Sequence, residues 1–395
     1  MPILSRAPDT RHVGASRGPD GPLGVVLIAH ADFDSPFVVG SHHILRELRS
    51  RPGVTALGVE PFAGWRKPRA TVRFPGIITP RLWLPLRFRS PVVREWVLRL
   101  NARLFRPAVW PMLQAMPKER CVILDNPYAV DVAQWLKSQG FRLVLRLTDW
   151  MPGQIQSPDR ETNFRMLRRA IRASDAVIAT SGPVARSVRL VSGRQATVVT
   201  NGVDAAFLAH PLRPGLADPR RVIYYGALDD RVCLRSLAAM ARLMPETAFD
   251  LYTPSPIRHG HRDLPANIRL HDTIPYGELP KVLARYGFAI LPFRNCPSNH
   301  GRFPMKLFEM VGSGVQVVAP PLQSLGGLGA PRGLHLSRGF DGEALAGALR
   351  AAQASWLGAS YGEREELLTG MRELAVGQTW DRKVDEILEV CRSRS

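Results

Sequence analysis

The alternation of short apolar segments with helical ones is the feature that constrains this chain most. The first half contains six apolar segments of strand length, beginning with GVVLIAH at Gly24 and ending with ATVVTNG at Ala196. Segments with helical periodicity follow several of them, for example SHHILRELRS and YAVDVAQWLKSQG. Strands that are apolar along their whole length and joined by helices form parallel sheets covered on both faces. The pattern therefore predicts a doubly wound α/β domain.

The same alternation begins again in the second half. Its strands start with RRVIYYGAL, after a Pro- and Gly-rich stretch, NGVDAAFLAHPLRPGLADP, that reads as a linker. A chain of 395 residues is longer than one hydrophobic core usually supports. We predict a disordered lead-in over 1–21, a Rossmann-like domain over 22–205 and a second over 206–376. A last helix over 377–395 is expected to return to the first domain.

Two such domains facing each other leave a cleft between them. In open α/β sheets, ligands bind beyond the carboxyl ends of the strands, where the connecting loops converge. The architecture therefore predicts a binding site between the domains. It does not define a reaction, which depends on particular side chains.

The segment FPMKLFEMVG places charged residues at the start of a short helix. Proline suits the first helical position, so Pro304 puts Met305 and Lys306 in the first turn. That turn offers free backbone N–H groups and the positive end of the helix dipole, and with a lysine it suits a diphosphate. Glu309 lies one turn further on and could accept hydrogen bonds from sugar hydroxyls. The alternative is an ordinary ion pair between Lys306 and Glu309.

Two strand ends add candidate residues. In YYGALDD, Gly226 follows a strand and would let a phosphate or sugar approach the backbone. The alternative is a plain turn between strand and helix. In LRLTDW, Asp149 ends an apolar strand of the first domain and could act as a general base toward a hydroxyl. The alternative for Asp149 is a turn or a helix cap.

The loop after the first strand, AHADFDSPF, carries His30, Asp32 and Phe33. It does not match G-x-G-x-x-G, so the dinucleotide-binding fingerprint is absent from this loop. A loop at the carboxyl end of the first strand normally faces the cleft. We interpret the three residues as belonging to the acceptor side, although His30 could equally be a histidine that bonds locally at a strand end.

The formal net charge is +19, from 53 basic and 34 acidic residues. Such a chain should associate with an anionic partner, whether nucleic acid, acidic lipid or a phosphorylated substrate. No RNA-recognition, helix-turn-helix or zinc-finger motif supports nucleic acid. We therefore expect no nucleic-acid partner.

Part of the positive charge is concentrated between Arg66 and Arg106, where eleven basic residues accompany one acid. In PVVREWVLRLNARLFRP, one helical face carries Arg99, Arg103 and Arg106. The adjoining face carries Val93, Val97, Leu100 and Leu104. This pattern is typical of a helix on an anionic membrane surface, with Arg87 as a further contact. The alternative is an amphipathic helix packed on its own domain with its arginines in water.

Other features set limits on the protein class. No apolar run reaches the roughly 20 residues that span a bilayer, and the N-terminus lacks the apolar core of a secretory signal. We therefore expect a cytoplasmic protein. The four cysteines show no metal-ligand spacing, so we expect no metal cofactor.

Several segments resemble GT-B glycosyltransferases. ASDAVIATSGPVARSV and VVTNGVDAAF are similar to their hinge-side signature, and IRLHDTIPYGELPKVLARYGFAILPFR and PMKLFEMVGSGVQVVAP to their donor-binding half. The resemblance covers roughly Gly24 to Cys391. The phrase RLTDW before ASDAVIATS is similar to the xanthan glucuronosyltransferase and to teichuronic-acid-type transferases, which build lipid-linked or surface polysaccharide in bacteria.

The resemblance implies roles for the residues that match by position. Lys306 would hold the donor diphosphate, Glu309 would contact the ribose or the sugar, and Asp149 would be the catalytic base. Gly226 would close on the donor, and IPYGELP would border the pocket for the nucleotide base. The other positions implied to contact the donor are Ala227, Leu228, His271, Ile274, Phe293 and Met305.

One departure from the family pattern affects the mechanism. Many retaining members carry two glutamates with seven residues between them, and the first of these falls at Gly301 here. The resemblance then implies an inverting displacement, in which Asp149 deprotonates the acceptor hydroxyl. It also implies a UDP-sugar donor, no metal, and an acceptor saccharide on polyprenyl diphosphate at the inner face of the cell membrane. Alternatives are a nucleotide-sugar 2-epimerase of the same fold and a protein that binds a nucleotide sugar without turnover.

Overall fold

The computed structural model describes residues 21–33, 35, 38–60, 76–78, 90–149, 160–215, 218–254, 264–329 and 331–393. Within these ranges the chain forms two α/β domains, each built on a parallel sheet. Arg87 lies outside the described residues, as do most of the basic stretch before residue 90 and all of the predicted lead-in except its last residue.

The first sheet has seven strands in the described chain. They are β1 Leu23–Ile28, β2 Val54–Val59, β3 Ile77–Ile78, β4 Glu119–Leu124, β5 Arg142–Leu147, β6 Ala176–Ala179 and β7 Thr197–Val198. Their spatial order is β3-β2-β1-β4-β5-β6-β7, and neighbouring strands pair in parallel. The strand order reverses between β1 and β4, so the loops that follow these two strands flank the switch point where such sheets bind ligands.

The second sheet has six strands in the described chain. They are β8 Arg221–Tyr225, β9 Ala248–Tyr252, β10 Ile268–His271, β11 Phe288–Ile290, β12 Gln316–Ala319 and β13 Leu334–Leu336. Their order is β10-β9-β8-β11-β12-β13, again parallel. The switch point lies between β8 and β11. Gly226 is the first residue beyond β8 and therefore stands at that point.

Helices cover both sheets. In chain order they are α1 Gly40–Ser50, α2 Pro91–Gln114, α3 Val130–Ser138, α4 Arg160–Ala173, α5 Gly182–Ser192, α6 Leu234–Leu243, α7 Leu279–Leu283, α8 Pro297–Gly301, α9 Met305–Gly312, α10 Gln323–Gly326, α11 Gly342–Gly358, α12 Tyr361–Val376 and α13 Trp380–Arg392. Short 3₁₀ turns lie at Pro127–Ala129, Ala205–Leu208 and Tyr276–Glu278. The sequence pattern does not predict β3, α8 or α10, because such short elements do not show a period.

The last helix, α13, packs on the first sheet rather than the second. Trp380, Val384 and Ile387 are buried there, in the same apolar cluster as β1 and α1. Trp380 is 2% exposed. The chain therefore crosses between the domains twice, once after β7 and once before α13. These crossings lie on the side of the molecule where α9 begins.

Helix α2 is longer than the sequence indicates and packs differently. It continues through Pro107 and Pro111 to Gln114. Its buried side is formed by Leu98, Ala102, Phe105, Val109 and Leu113. Of the apolar face that the sequence predicts, Val97 is buried, whereas Val93 and Leu104 are exposed. The side chains that pack toward the sheet are therefore a neighbouring set, and Val93 and Leu104 of the predicted apolar face lie outside it.

Candidate active site

Three consecutive residues just before α9 connect the second domain to the first. The Ser181 hydroxyl donates to the Gly301 carbonyl at 2.5 Å. The Arg302 guanidinium donates to the Asp149 carboxylate at 2.7 Å. The Asn201 side-chain amide donates to the Phe303 carbonyl at 2.9 Å. Because α9 begins two residues later, its first turn is positioned directly by the first domain.

Lys306 lies in the first turn of α9. The helix begins at Met305, with Pro304 as the N-cap, so the predicted place of Pro304 inside the helix was wrong by one residue. The Lys306 ammonium lies 5.1 Å from the ring centre of Tyr224 and 5.4 Å from that of Tyr225. Among the described residues, no carboxylate forms a salt bridge with it. The aromatic rings stabilise the cation and leave its hydrogen-bond donors available.

The electrostatic environment of Lys306 is unusual for a lysine. Burial lowers the pKa of its ammonium to about 8. The charge of Glu309 acts in the opposite direction, while the positive charges of Arg231 and Arg302 lower the pKa further. An anion bound here would favour the charged form of Lys306.

Gly226 leaves the space that the Lys306 side chain occupies. Its φ of 122° lies in the region that side chains rarely adopt. A Cβ atom at this position would stand 2.1 Å from the Lys306 Nζ and 3.1 Å from its Cε. The Gly226 N–H donates to the Tyr252 carbonyl at 2.9 Å, which fixes the turn. The positive φ requires a glycine here, and any side chain at this position would also displace the end of the Lys306 side chain.

Glu309 is bound by two tyrosines and does not pair with Lys306. Its carboxylate accepts from the Tyr225 hydroxyl at 2.6 Å and from the Tyr276 hydroxyl at 3.1 Å. The residue is 3% exposed, and burial raises the pKa of its carboxyl group. The predicted alternative of an ion pair between Lys306 and Glu309 is therefore wrong. Both carboxylate oxygens already have donors inside the protein.

Tyr276 extends this network into the first domain. Its hydroxyl lies 3.3 Å from the Nε2 of His43 on α1. The His43 ring stacks on Trp380 of α13, with centroids 5.0 Å apart. Burial lowers the pKa of His43 to about 3, so the ring is neutral over the physiological range. Hydrogen bonds of Tyr276 thus join α9 to α1, and the ring stack joins α1 to α13.

Arg231 and Asp229 belong to the cleft, although the sequence analysis did not select them. The Arg231 guanidinium forms a salt bridge to Asp229, with its Nε 2.7 Å from a carboxylate oxygen. Its backbone carbonyl accepts from the Asn299 side chain at 2.9 Å, which ties this loop to α8. The available signal was a basic residue in the loop after β8, five positions beyond Gly226.

The salt bridge between Asp149 and Arg302 crosses the cleft. The two side chains are 22% and 20% exposed, so solvent reaches them only in part. The Nε of Arg302 is buried and lacks a hydrogen-bond partner among the described residues. The suggestion that Asp149 is only a turn or cap residue does not account for this pairing. Lys306, Arg231 and Arg302 thus place three cations around two carboxylates, an arrangement that can hold a polyanion.

The other predicted donor residues lie in different environments. Leu228 and Phe293 are buried in the core of the second domain, and Ile274 packs against it. Ala227 uses its carbonyl to accept from the Tyr224 hydroxyl at 2.8 Å. Met305 packs instead against the apolar cluster of the first sheet.

His271 is held at the end of β10. Its Nε2 lies 2.8 Å from the buried carboxylate of Asp250, and its ring stacks on Tyr252 at 4.7 Å. Asp250 also accepts from Arg221 at 2.7 Å. The ring of His271 is therefore fixed in orientation, while its side chain remains 37% exposed.

The predicted acceptor-side residues follow β1. The Nδ1 of His30 lies 3.4 Å from the Ser41 hydroxyl. The Phe33 N–H donates to Glu60 at 3.0 Å, and the Asp32 carbonyl accepts from the backbone of Ser35. These contacts order the loop at the switch point of the first sheet. Arg99, Arg103 and Arg106 lie elsewhere, on the flank of the first domain.

Comparison with known proteins gives structural likeness alone. No family model matches the chain, and no curated protein matches its sequence. Sucrose-phosphate synthase from Thermosynechococcus elongatus superposes with a TM-score of 0.72 at 17% identity, over 93% of this chain and 98% of that one. A trehalose-6-phosphate structure from E. coli, bound with UDP-2-fluoro glucose, superposes with a TM-score of 0.66 at 14% identity. The match covers 94% of this chain and 99% of that one. A trehalose-6-phosphate synthase, studied for glycosyl transfer with retention, superposes with a TM-score of 0.63 at 14% identity. The match covers 94% of this chain and 99% of that one.

These similarities extend over both domains and confirm the predicted GT-B fold, with two Rossmann-like domains around a cleft. At such low identity they define the fold and not the reaction. The finer resemblance to xanthan and teichuronic-acid transferases stays a prediction. Within the described parts of the chain, no helix combines the length and apolarity needed to cross a bilayer.

Proposed function

We propose that this protein is a glycosyltransferase that moves a sugar from a nucleotide-sugar donor to a hydroxyl group. The observation that carries the proposal is the Lys306 ammonium at the start of α9, which forms no salt bridge with a described residue and lies beside Gly226, whose φ of 122° disfavours any side chain. Support comes from the contacts of residues 301–303 with the first domain, which bring the start of α9 next to that domain. A donor diphosphate is the natural partner of such a cation at a helix start.

Each cation of the cleft has a role in this reaction. The bond between the anomeric carbon and the diphosphate breaks, and the departing diphosphate gains negative charge. Lys306, with the free N–H groups of α9, stabilises that charge, and Arg231 and Arg302 contribute further positive potential. We propose UDP as the nucleotide, which one of the structurally similar proteins binds as UDP-2-fluoro glucose. We propose no metal, because the cations present can neutralise the diphosphate.

Asp149 is proposed as the base that takes the proton from the acceptor hydroxyl. Its carboxylate reaches the cleft from the first domain and is oriented by Arg302 at 2.7 Å. We propose inversion at the anomeric carbon, because position 301 holds a buried glycine whose carbonyl binds Ser181. One of the structurally similar enzymes transfers with retention, so the anomeric configuration of the product, measured by NMR, is the direct test.

The proposed acceptor is a saccharide carried on a polyprenyl diphosphate, as in polysaccharide synthesis. The support is the charge of +19 and the outward face of α2, which combines Arg99 and Arg103 with the exposed Trp96. A helix of this composition favours an anionic membrane surface. The protein would then work at the inner face of the cell membrane.

A thermal-shift screen of UDP-, GDP- and ADP-sugars tests the donor site. A donor that binds only the folded protein raises Tm by mass action. We expect one nucleotide class to stabilise the wild type and not Lys306→Ala. The matched control is Lys281→Ala, which removes an exposed lysine of the same domain that pairs with Glu278 at 3.0 Å. If no donor stabilises the wild type, or if Lys306→Ala responds like the wild type, the proposal is wrong.

A further inference from the structure

A pocket on the flank of the first domain lies outside the proposed active site. It has a volume of about 310 Å³ and lies between α2 and α3. Its lining includes Arg99, Arg103 and Arg106 from α2, and Asp131, Gln134 and Trp135 from α3. None of these residues takes part in the contacts around Lys306. The pocket therefore needs an explanation of its own.

The three arginines of the pocket are not neutralised within the described chain. None of them forms a salt bridge there. The one acid of the lining, Asp131, is already bound by Arg169 at 2.6 Å. Glu95, the only acid of α2, also faces Arg169, at 3.8 Å. The carboxylates near the pocket are thus directed to a different cation.

The spacing of these arginines along α2 brings their positive charges close together, so the charges repel each other. Arg99 and Arg103 are four residues apart on one helix, and Arg106 follows three residues later, so like charges are neighbours on the helix surface. The Nε of Arg106 is buried and has no hydrogen-bond partner among the described residues. An anion in the pocket would relieve the repulsion and accept from these free donors.

The shape of the pocket suits a phosphate. The Arg106 guanidinium lies over the Trp135 ring, 5.6 Å from its centre, and this cation–π contact stabilises its position. Planar guanidinium groups bind phosphate oxygens through two parallel N–H donors. Trp110 packs near the same ring, with centroids 6.1 Å apart.

The surface around the pocket is apolar as well as basic. Along the outer side of α2, Val92 is 65% exposed, Trp96 is 61% exposed and Leu104 is 43% exposed. Large apolar side chains next to unpaired arginines are typical of helices in the interfacial layer of a membrane. A soluble phosphate would use the arginines and leave this apolar surface in water.

We propose that the pocket between α2 and α3 binds the phosphate of an anionic membrane lipid, while the exposed apolar side chains of α2 enter the interfacial layer. This site rests on the membrane placement in the proposed function and makes it specific. It is independent of the donor chemistry. The lipid phosphate sits among Arg99, Arg103 and Arg106, and Trp96 enters the layer beside it.

Vesicle co-sedimentation tests this site with the full chain. The vesicles are phosphatidylcholine alone, or phosphatidylcholine with phosphatidylglycerol. We expect the wild type to bind only the anionic vesicles, and Arg99→Glu with Arg103→Glu to weaken that binding on the order of tenfold. The control is Arg186→Glu with Arg189→Glu on α5, two exposed arginines that give the same change in net charge.

Three outcomes would overturn the proposal. The pocket variant and the control could bind anionic vesicles equally, which would assign the attraction to net charge. The wild type could fail to co-sediment with the anionic vesicles. Inorganic phosphate at constant ionic strength could stabilise the wild type in a thermal shift while vesicles do not bind. The donor-induced Tm shift must be unchanged in the pocket variant, and Lys306→Ala must bind vesicles normally, so the failure of one site is distinguishable from that of the other.

Discussion

The cleft and the flank of the first domain both carry several basic side chains, but they differ in how these side chains are paired. The arginines of the cleft form salt bridges with carboxylates, whereas, among the described residues, those of the flank pocket do not. In the cleft, Arg231 pairs with Asp229 and Arg302 pairs with Asp149, so Lys306 alone lacks a carboxylate partner among the described residues. On the flank, none of the three arginines of the pocket forms a salt bridge within the described chain. The carboxylates present there are bound to Arg169.

This contrast separates two uses of positive charge. In the cleft, the carboxylates of Asp229 and Asp149 fix the guanidinium groups of Arg231 and Arg302 in place. Such preorganisation favours a specific small ligand. On the flank, three uncompensated and largely exposed charges act over a surface, where binding depends on the potential of the partner and on salt.

Replacing the carboxylate that crosses the cleft should have the largest effect. We expect Asp149→Asn to reduce turnover on the order of 10² to 10⁴-fold, because the acceptor hydroxyl loses its base, and to leave donor binding nearly unchanged. Turnover is measured as nucleoside diphosphate released from the donor that the screen identifies. Asp175→Asn, which also removes a cation-paired carboxylate of the first domain but lies outside the pocket lining, is the control. Unchanged turnover in Asp149→Asn would exclude Asp149 as the base, and a wild type that binds donor without release would indicate a binding protein.

Filling the space beside Lys306 with a methyl group should have the second-largest effect. In Gly226→Ala the new Cβ would stand 2.1 Å from the Lys306 Nζ, at a backbone conformation that costs alanine about 1–3 kcal/mol. We expect donor affinity to fall on the order of tenfold or more, and Tm to fall as well. Isothermal titration at a temperature well below Tm measures the affinity. Gly347→Ala on α11, where a Cβ meets no atom within 4 Å, should keep the wild-type affinity; equal affinity in both variants would contradict the assigned geometry.

The pH dependence should distinguish the lysine of the cleft from the arginines of the flank. The pKa of Lys306 is about 8, so its ammonium is charged below that pH and loses its proton as pH rises through it. Affinity for UDP should therefore be highest below pH 8 and fall by up to about tenfold per pH unit above it. Arginine stays charged across this range, so vesicle binding should stay constant from pH 7 to about 9. A Lys306→Arg variant that shows the same decline would assign it to another group.

Salt should have the smallest effect on the cleft and a larger one on the flank. Exposed charges are screened over about 10 Å at 0.1 M salt, while partly buried groups are screened less. Between about 50 and 300 mM salt, we expect vesicle binding to weaken severalfold and the affinity for UDP to change less. If vesicle binding and UDP affinity fell equally with salt concentration, the distinction between preorganised charge in the cleft and surface charge on the flank would be wrong.

Much of the fold could be predicted because it rests on local periodicity. The strand that ends at Tyr225 and the helix that starts at Met305 are both visible as short apolar patterns in sequence. Gly226 and Lys306 could be selected for the same reason, since each occupies a recognisable end of an element. Arg231 was not selected, because a basic residue in a loop has no periodic signal that separates it from a solvated charge.

The sequence alone was enough for the alternation of strands and helices, the division into two domains, and the lysine at the start of α9. The partners of the charged residues followed only from the folded chain. Glu309 binds Tyr225 and Tyr276 rather than the lysine three positions away, and Asp149 meets Arg302 across 153 positions of sequence. Periodicity reports which way a side chain points within its own element. Which groups it meets depends on how distant elements pack, and that packing is set by the whole chain.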